Sequence, residues 1–212
     1  MVKTPPRLNL DEPGPDPIAA APDPVSAWNI ANALTVFRLL LVPVFLIALF
    51  WGSGHETGWR VIAWAVFAVA SFTDRIDGEI ARKRNLVTEF GKLADPIADK
   101  ALVGAALIGL SLLHDLPWWV TIVILVREVG VTLLRFWVIR HGVLAASRGG
   151  KLKTLLQSVA IGLFVLPEWG WLRDIAWVVM IAAILVAVAT GLDYVGRAVK
   201  LRRAALAARV PA

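Results

Sequence analysis

Six long apolar runs follow one another along this chain, at residues 29–51, 58–82, 90–113, 117–141, 152–167 and 173–198, with short polar stretches between them. Each is close to the roughly 20 residues that an α-helix needs to span the hydrocarbon core of a bilayer. The second run is the weakest. Its clearly hydrophobic part is only Trp59–Phe72, so its later turns must continue as a helix that leaves the bilayer or faces protein. The pattern predicts an all-α, polytopic membrane protein with six transmembrane helices.

The flanks divide the chain into three parts. Residues 1–27 carry Pro at 5, 6, 13, 15, 17, 22 and 24 together with Asp11, Glu12, Asp16 and Asp23, a composition unable to bury a core. A disordered, Pro-rich cytoplasmic arm is expected there, without the basic start and apolar centre of a cleaved signal peptide. Residues 28–199 form the expected six-helix membrane domain, and 200–212 a basic cytoplasmic tail.

Composition strengthens this picture and charge orients it. Hydrophobic residues make up 58% of the 212, against about 45–50% in soluble domains, and mean hydropathy is +0.70, which excludes soluble globular, disordered and fibrous classes. The absence of cysteine removes disulfides, thiolate metal sites and a Cys nucleophile. The net charge of +6 is unevenly placed. Arg82, Lys83, Arg84 and Lys92 follow the second run, Arg140, Arg148, Lys151 and Lys153 the fourth, and Lys200, Arg202, Arg203 and Arg209 the sixth. The alternate connections are nearly neutral, with His55, Glu56 and Arg60, then His114 and Asp115, then Glu168, Arg173 and Asp174. By the positive-inside rule the basic side, with both the N- and C-termini, is cytoplasmic. Trp28, Trp51, Trp59, Trp118, Trp119, Trp169 and Trp171 cluster near the run ends, where indoles favour the headgroup region. The basic tail suits anionic lipid rather than nucleic acid. Arg outnumbers Lys 15 to 7, consistent with a GC-rich bacterial genome and a place in the bacterial plasma membrane.

Four aspartates resist explanation by burial. The stretch Ser71–Lys100 reads SFTDRIDGEIARKRNLVTEFGKLADPIADK and sets Asp74, Asp77, Asp95 and Asp99 at the cytoplasmic ends of runs two and three. An unpaired carboxylate at membrane depth costs at least ~2.5 kcal/mol, so such residues are functional candidates by default. Asp74 and Asp77 are spaced i,i+3 and Asp95 and Asp99 i,i+4, so each pair projects from one helical face. If the faces converge, the four carboxylates cannot all stay ionised without a bridging cation. Oxygen donors without neighbouring His or Cys select Mg²⁺, Mn²⁺ or Ca²⁺ over Zn²⁺, predicting a site for one or two divalent cations. Gly78, Ala81 and Gly91 leave space beside the acids, and Arg82 stands where it can meet an anion such as a diphosphate. Pro96 is expected in the first turn of its helix. A solvated charge ladder at a helix end is explanation enough for any one of these residues. It does not explain the whole pattern, D-x-x-D-G-x-x-A-R and, eight residues later, G-x-x-x-D-x-x-x-D.

That pattern, carried by Asp74, Asp77, Gly78, Ala81, Arg82, Gly91, Asp95 and Asp99, resembles the signature of the CDP-alcohol phosphatidyltransferase family at all eight positions. The resemblance implies six transmembrane helices, a homodimer, an active site opening to the cytoplasmic leaflet, and dependence on Mg²⁺ or Mn²⁺, as two ions. It implies Asp74, Asp77 and Asp95 as metal ligands, with Asp99 near the metals and acting as catalytic general base. Gly78, Ala81, Arg82 and Gly91 would line the CDP pocket, with Arg82 on the diphosphate. Such metals neutralise charge developing on the phosphoryl group and stabilise CMP as leaving group, while the base takes the acceptor's proton. Further stretches are NIANALTVFRLLLVPVF at 29–45, DPIADK at 95–100, VREVGVTLLR at 126–135 and GGKLKTLLQ at 149–157. They are similar to members that transfer the phosphatidyl group of CDP-diacylglycerol to sn-glycerol 3-phosphate, giving phosphatidylglycerophosphate and CMP by in-line displacement. Members acting on inositol phosphate or phosphatidylglycerol share the signature and stand as alternatives. A cation transporter is the remote one, since it also gathers membrane carboxylates, though along a path and not at one face.

A small dianionic acceptor requires a cationic pocket, and Arg127, Arg135, Lys151 and Lys153 are the residues available. Arg127 lies about ten residues inside the apolar run beginning at Pro117, where an anion or Glu128 must compensate it; a structural Arg127–Glu128 or interhelical ion pair is the plain alternative. Lys151 and Lys153 also serve as positive-inside anchors. Asn32, Thr35 and Arg38 share one face of the first run and are positioned to border the nucleotide, although helix–helix hydrogen bonding explains Asn32 and Thr35 equally well. His55, His114 and His141 are isolated at run ends and are not expected to be ligands. Asp193 is expected to pair with Arg197 one turn later.

Overall fold

The computed structural model describes residues 30–83, 89–138 and 148–207, and among these every regular element is helical. The elements are α1 (Ile30–Phe50), α2 (Thr57–Lys83), α3 (Glu89–Leu112), α4 (Trp118–Val138), α5 (Arg148–Val165) and α6 (Gly170–Ala207), with a 3₁₀ turn at Trp51–Gly54. The helices follow the apolar runs closely, with two extensions. α5 starts at Arg148, four residues ahead of the run expected from 152, and α6 continues to Ala207, nine beyond 198. The added α6 segment, VKLRRAALA, is rich in the strong helix formers Ala, Leu, Arg and Lys, so the start of the expected basic tail is the last turns of a helix. Pro96 stands seven residues inside α3 and not in its first turn, because the polar segment from Glu89 already winds as helix. The expected arm at 1–27 and His141 lie outside the described residues.

The three short connections meet at one end of the bundle, and Asp115 ties them together. Its position follows from how α3 stops. His114 adopts the left-handed conformation, φ 62°, while its N–H donates to the Ser111 carbonyl at 3.2 Å and the Asp115 N–H reaches the Leu110 carbonyl at 2.9 Å. This is the paired bonding of a Schellman cap, which satisfies carbonyls that the helix end would orphan. The Asp115 side chain, 6% exposed, then forms an ion pair with the buried Arg60 of α2. It also lies 3.4 Å from Arg173 of α6 and 3.6 Å from His55 of the first connection. Arg60 also donates to the Val165 carbonyl at the end of α5, at 3.5 Å. Arg173 bonds Glu168 at 3.3 Å and stacks over Phe164, 5.0 Å from the ring centroid. Trp51, Trp118, Trp119, Trp169 and Trp171 are exposed around this same end, and Trp51 stacks on Trp59 with centroids 4.8 Å apart.

Between the ends, α3 occupies the middle, packing against α1, α2, α4 and α5, while α6 covers α4 and α5. The core joins Phe45, Leu49, Phe67, Leu107, Ile124 and Phe164. Small residues let the backbones approach, as expected where helices pack without water to drive them together. At Gly109 an added Cβ would come within 2.7 Å of Leu49 Cδ2 and force that buried side chain to shift, so the glycine favours the close α1–α3 crossing. Across α3 and α4 the hydroxyls of Ser111 and Thr121 share a 2.7 Å hydrogen bond.

The outside of the bundle is apolar. Ala33–Gly54 and Gly170–Lys200 are long and apolar enough to cross a membrane, with hydropathy 2.5 and 2.6, and only 28% of each is buried. The core helix of a soluble protein would bury such a sequence. Here Leu40, Phe72, Val126, Val178, Leu185 and Leu192 face outward, an apolar surface far beyond what water tolerates and consistent with a membrane protein.

The clamp predicts that Asp115→Ala lowers thermal stability sharply, because the buried Arg60 guanidinium loses its counter-charge and Arg173 keeps only the exposed Glu168, a cost of about 3–5 kcal/mol. Thermal unfolding of the detergent-solubilised variant measures this, and an unchanged melting temperature would contradict it.

Candidate active site

The signature lies on the two helices that lead to and from the opposite end of the bundle. Asp74, Asp77, Gly78, Ala81 and Arg82 fall on the last turns of α2, and Gly91, Asp95 and Asp99 on the first half of α3. For these eight residues the structure describes the helical backbone alone. Each helix is continuous through its acid pair, so the i,i+3 and i,i+4 spacings each define one face, and α2 packs against α3. A donor set made of carboxylates on two adjacent helices fits a hard divalent cation. Among the described residues, which exclude these side chains, no other group of three or more His, Asp or Glu forms a metal site.

α1 contributes to this end from its first turns. Thr35 and Arg38 are fully buried there, one turn apart. Asn32 stands one turn earlier on the same helix, described by its backbone.

Beside the signature a cavity of about 170 Å³ opens between α3, α4 and α5. Its polar lining comes from Lys100, the residue after Asp99, with Glu128, Lys153, Thr154, Gln157 and Ser158. Lys153 is 5% exposed, a burial that its ammonium cannot sustain without a counter-charge. Glu128 provides it through a direct hydrogen-bonded ion pair. Glu128 is in turn 3.4 Å from Arg127 Nη1.

Arg127 itself turns toward α6 and does not line the cavity. Its Nε donates to the Ala187 carbonyl at 3.0 Å and its Nη2 to Thr190 Oγ1 at 2.9 Å, while the Thr190 hydroxyl donates to the Val186 carbonyl at 2.7 Å. A polar chain therefore crosses the bundle from α6 through Arg127 and Glu128 on α4 to Lys153 on α5. Of the partners expected for Arg127, Glu128 is in contact at 3.4 Å, and its shorter bonds go to a carbonyl and a hydroxyl of α6. Lys151 and Arg135 lie on α5 and α4, with only their backbone described. The Asp193–Arg197 pair forms as the spacing expects, at 2.8 Å, with both side chains half exposed.

A second, apolar groove of about 320 Å³ runs between α2 and α5, lined by Trp64, Phe67, Phe72, Leu155, Val159 and Leu163. Ser71 lies in its wall, one turn before Asp74, and Ser158 lines both this groove and the polar cavity.

Sequence reasoning passed over Lys100, Gln157 and Ser158. Gln157 carried a readable signal, being a polar residue four positions after Lys153 inside an apolar run, hence on the same helical face.

Comparison with known proteins places the chain in a family. Residues 28–189 match the family model described as CDP-alcohol phosphatidyltransferase. A protein of Mycobacterium tuberculosis (strain H37Rv) named "Probable phosphatidylglycerophosphate synthase" is 63% identical over 172 residues, covering 81% of this chain and 82% of that one. In Bacillus subtilis (strain 168), a protein named "CDP-diacylglycerol--glycerol-3-phosphate 3-phosphatidyltransferase" is 43% identical over 150 residues, 66% of this chain and 77% of its own length. A Shigella flexneri protein of the same name is 33% identical over 178 residues, with 81% and 95% covered. The match spans both acid-bearing helices and the helices that wall the polar cavity, and the chain belongs to the CDP-alcohol phosphatidyltransferase family.

Proposed function

We propose that this enzyme transfers the phosphatidyl group of CDP-diacylglycerol to sn-glycerol 3-phosphate, releasing CMP and phosphatidylglycerophosphate. The observation that carries the acceptor reading is the lysine-lined cavity that begins at Lys100, directly after Asp99. The relatives named for the same acceptor support it. Lys153 and Lys100 contribute two positive charges and Glu128 one negative, with the Arg127 guanidinium behind it. Their sum of about +2 matches a phosphate monoester near −2 at neutral pH. Lys151, at the start of α5, and Arg135, two turns beyond Arg127 on α4, are the further cations of the acceptor reading.

The chemistry follows from the roles assigned to the chain. Asp74, Asp77, Asp95 and Asp99 would hold two Mg²⁺ or Mn²⁺ ions. When bound, these supply charge neutralisation on the diphosphate and on departing CMP. Arg82 pairs with the diphosphate, and Gly78, Ala81 and Gly91 leave the nucleotide room, with Asn32 and Thr35 bordering it. Asp99 accepts the proton of the acceptor's primary hydroxyl. The oxygen then bonds in line to the phosphorus carrying diacylglycerol, the P–O bond to CMP breaks, and CMP leaves. Holding the acceptor phosphate on lysines and the lipid tails in the α2–α5 groove makes the attack effectively intramolecular.

In this reading six helices span the bacterial plasma membrane, both termini are cytoplasmic, and the enzyme is a homodimer. Support for the orientation comes from the basic residues of the other connections, and the exposed Trp residues suit a membrane interface at the end with the short connections.

These outcomes are expected with purified enzyme, CDP-diacylglycerol and Mg²⁺. CMP release is fastest with glycerol 3-phosphate; faster release with inositol phosphate or phosphatidylglycerol would overturn the acceptor assignment. Asp99→Asn loses turnover by at least about 10²-fold while keeping much of its binding of CDP-diacylglycerol. Asp74→Asn and Asp95→Asn lose metal binding and turnover together, and near-normal turnover in Asp99→Asn would remove it as base. Lys153→Ala raises the acceptor KM about tenfold or more with little change for the lipid nucleotide, whereas Arg127→Ala mainly lowers the melting temperature. Equal loss for both substrates in Lys153→Ala would mark that lysine as structural instead.

A further inference from the structure

Gln157 is 3% exposed, lines the polar cavity, and its Oε1 is buried with no hydrogen-bond partner among the described residues. A buried carbonyl oxygen left in this state costs about 1–3 kcal/mol, and native proteins retain few such groups without a purpose. Two of the polar groups beside it are committed elsewhere. Thr154 Oγ1 donates to the Gly150 carbonyl at 3.1 Å, and the Lys153 ammonium bonds Glu128. Gln157 follows Lys153 by one helical turn on the same face of α5, so the two side chains present a cation and, about 5–6 Å further into the bundle, an unused acceptor.

We infer that Gln157 is a specificity-determining residue for the acceptor, its Oε1 receiving a hydrogen bond from the hydroxyl of a three-carbon polyol phosphate that does not react. The inference rests on the acceptor reading above and deepens it. A phosphate on Lys153 and Lys100 extends its carbon chain by one turn toward Gln157, and a cavity of about 170 Å³ suits so small a molecule. The oxygen requires an O–H or N–H donor. Within a polyol phosphate the middle hydroxyl supplies it, while the primary hydroxyl is left for Asp99. A site with an unmet acceptor favours the ligand that meets it and discriminates against one that leaves it buried and unpaired.

The test compares two acceptors that differ by that hydroxyl alone, glycerol 3-phosphate and 3-hydroxypropyl phosphate. CMP release is measured for the full-length enzyme, Gln157→Leu and Gln157→Asn. The native enzyme should favour glycerol 3-phosphate by about tenfold or more in kcat/KM, the worth of one hydrogen bond that is otherwise left unmade. Gln157→Leu should use both acceptors within about twofold of each other, keep its KM for CDP-diacylglycerol, and melt no lower than the native enzyme, since the orphaned oxygen is gone. Retention of the native preference in Gln157→Leu would overturn the inference alone. Absence of turnover by the native enzyme with glycerol 3-phosphate would overturn the acceptor reading and this inference with it. Should Gln157→Leu not accumulate, Gln157→Asn, which withdraws the carboxamide by one methylene, decides the same comparison by the same criterion.

Discussion

Lys153 carries its charge in a bundle that gives it almost no contact with water, and that burial obliges the neighbouring helices to answer it. Glu128 does so from α4, and Glu128 is steadied by Arg127, whose guanidinium is fastened to the Ala187 carbonyl and Thr190 of α6. One buried cation thus recruits three helices into a single polar chain. In an apolar surrounding none of its members can be removed cheaply, because each would leave a partner buried and unpaired. The same chain leaves net positive charge on a small cavity. In the proposed reading the cost of burying it is repaid in function by a wall aligned for the acceptor's phosphate before any ligand arrives.

The two ends of the bundle divide the work. At one, Asp115 draws Arg60, Arg173 and His55 together and closes the three connections tightly around a capped helix end. Exposed Trp residues surround it. The other end carries the acidic signature on α2 and α3, and there the chemistry asks for room: a nucleotide, a phosphate and two lipid tails must meet. The apolar groove and the polar cavity share Ser158 as a common wall, a meeting of lipid-facing and water-facing space that suits an enzyme with one lipid and one soluble substrate. α3 connects the two ends. It supplies Asp95 and Asp99 near its start and the Schellman cap that sets Asp115 at its finish, so both depend on the same central helix.

Length and chemistry were legible along the chain because both act locally. Bilayer thickness sets the length of an apolar run, and the runs at 29–51 and 58–82 became α1 and α2 nearly residue for residue. Helical spacing paired Asp193 with Arg197, and it made the eight-position signature recognisable without coordinates. Where local rules compete, the reading slipped. The charge of residues 200–212 points to a tail, yet Ala and Leu keep α6 helical to Ala207. Pro96 was placed at a helix start, yet the helix begins seven residues sooner.

The sequence by itself determined the helices, the acidic faces and the family to which they point, since each of these depends on residues within a turn or two of one another. Only the tertiary structure decided which charges meet. Arg127 finds its partners 60 and 63 residues away, Glu128 meets Lys153 across 25, and Asp115 joins Arg60 and Arg173 across 55 and 58. No periodicity spans such distances. The packing of helices against one another chose the partners, through the requirement that a charge or carbonyl removed from water must end beside its complement. Among the described residues Gln157 is one place where that requirement is left open, and it lines a cavity of ligand size.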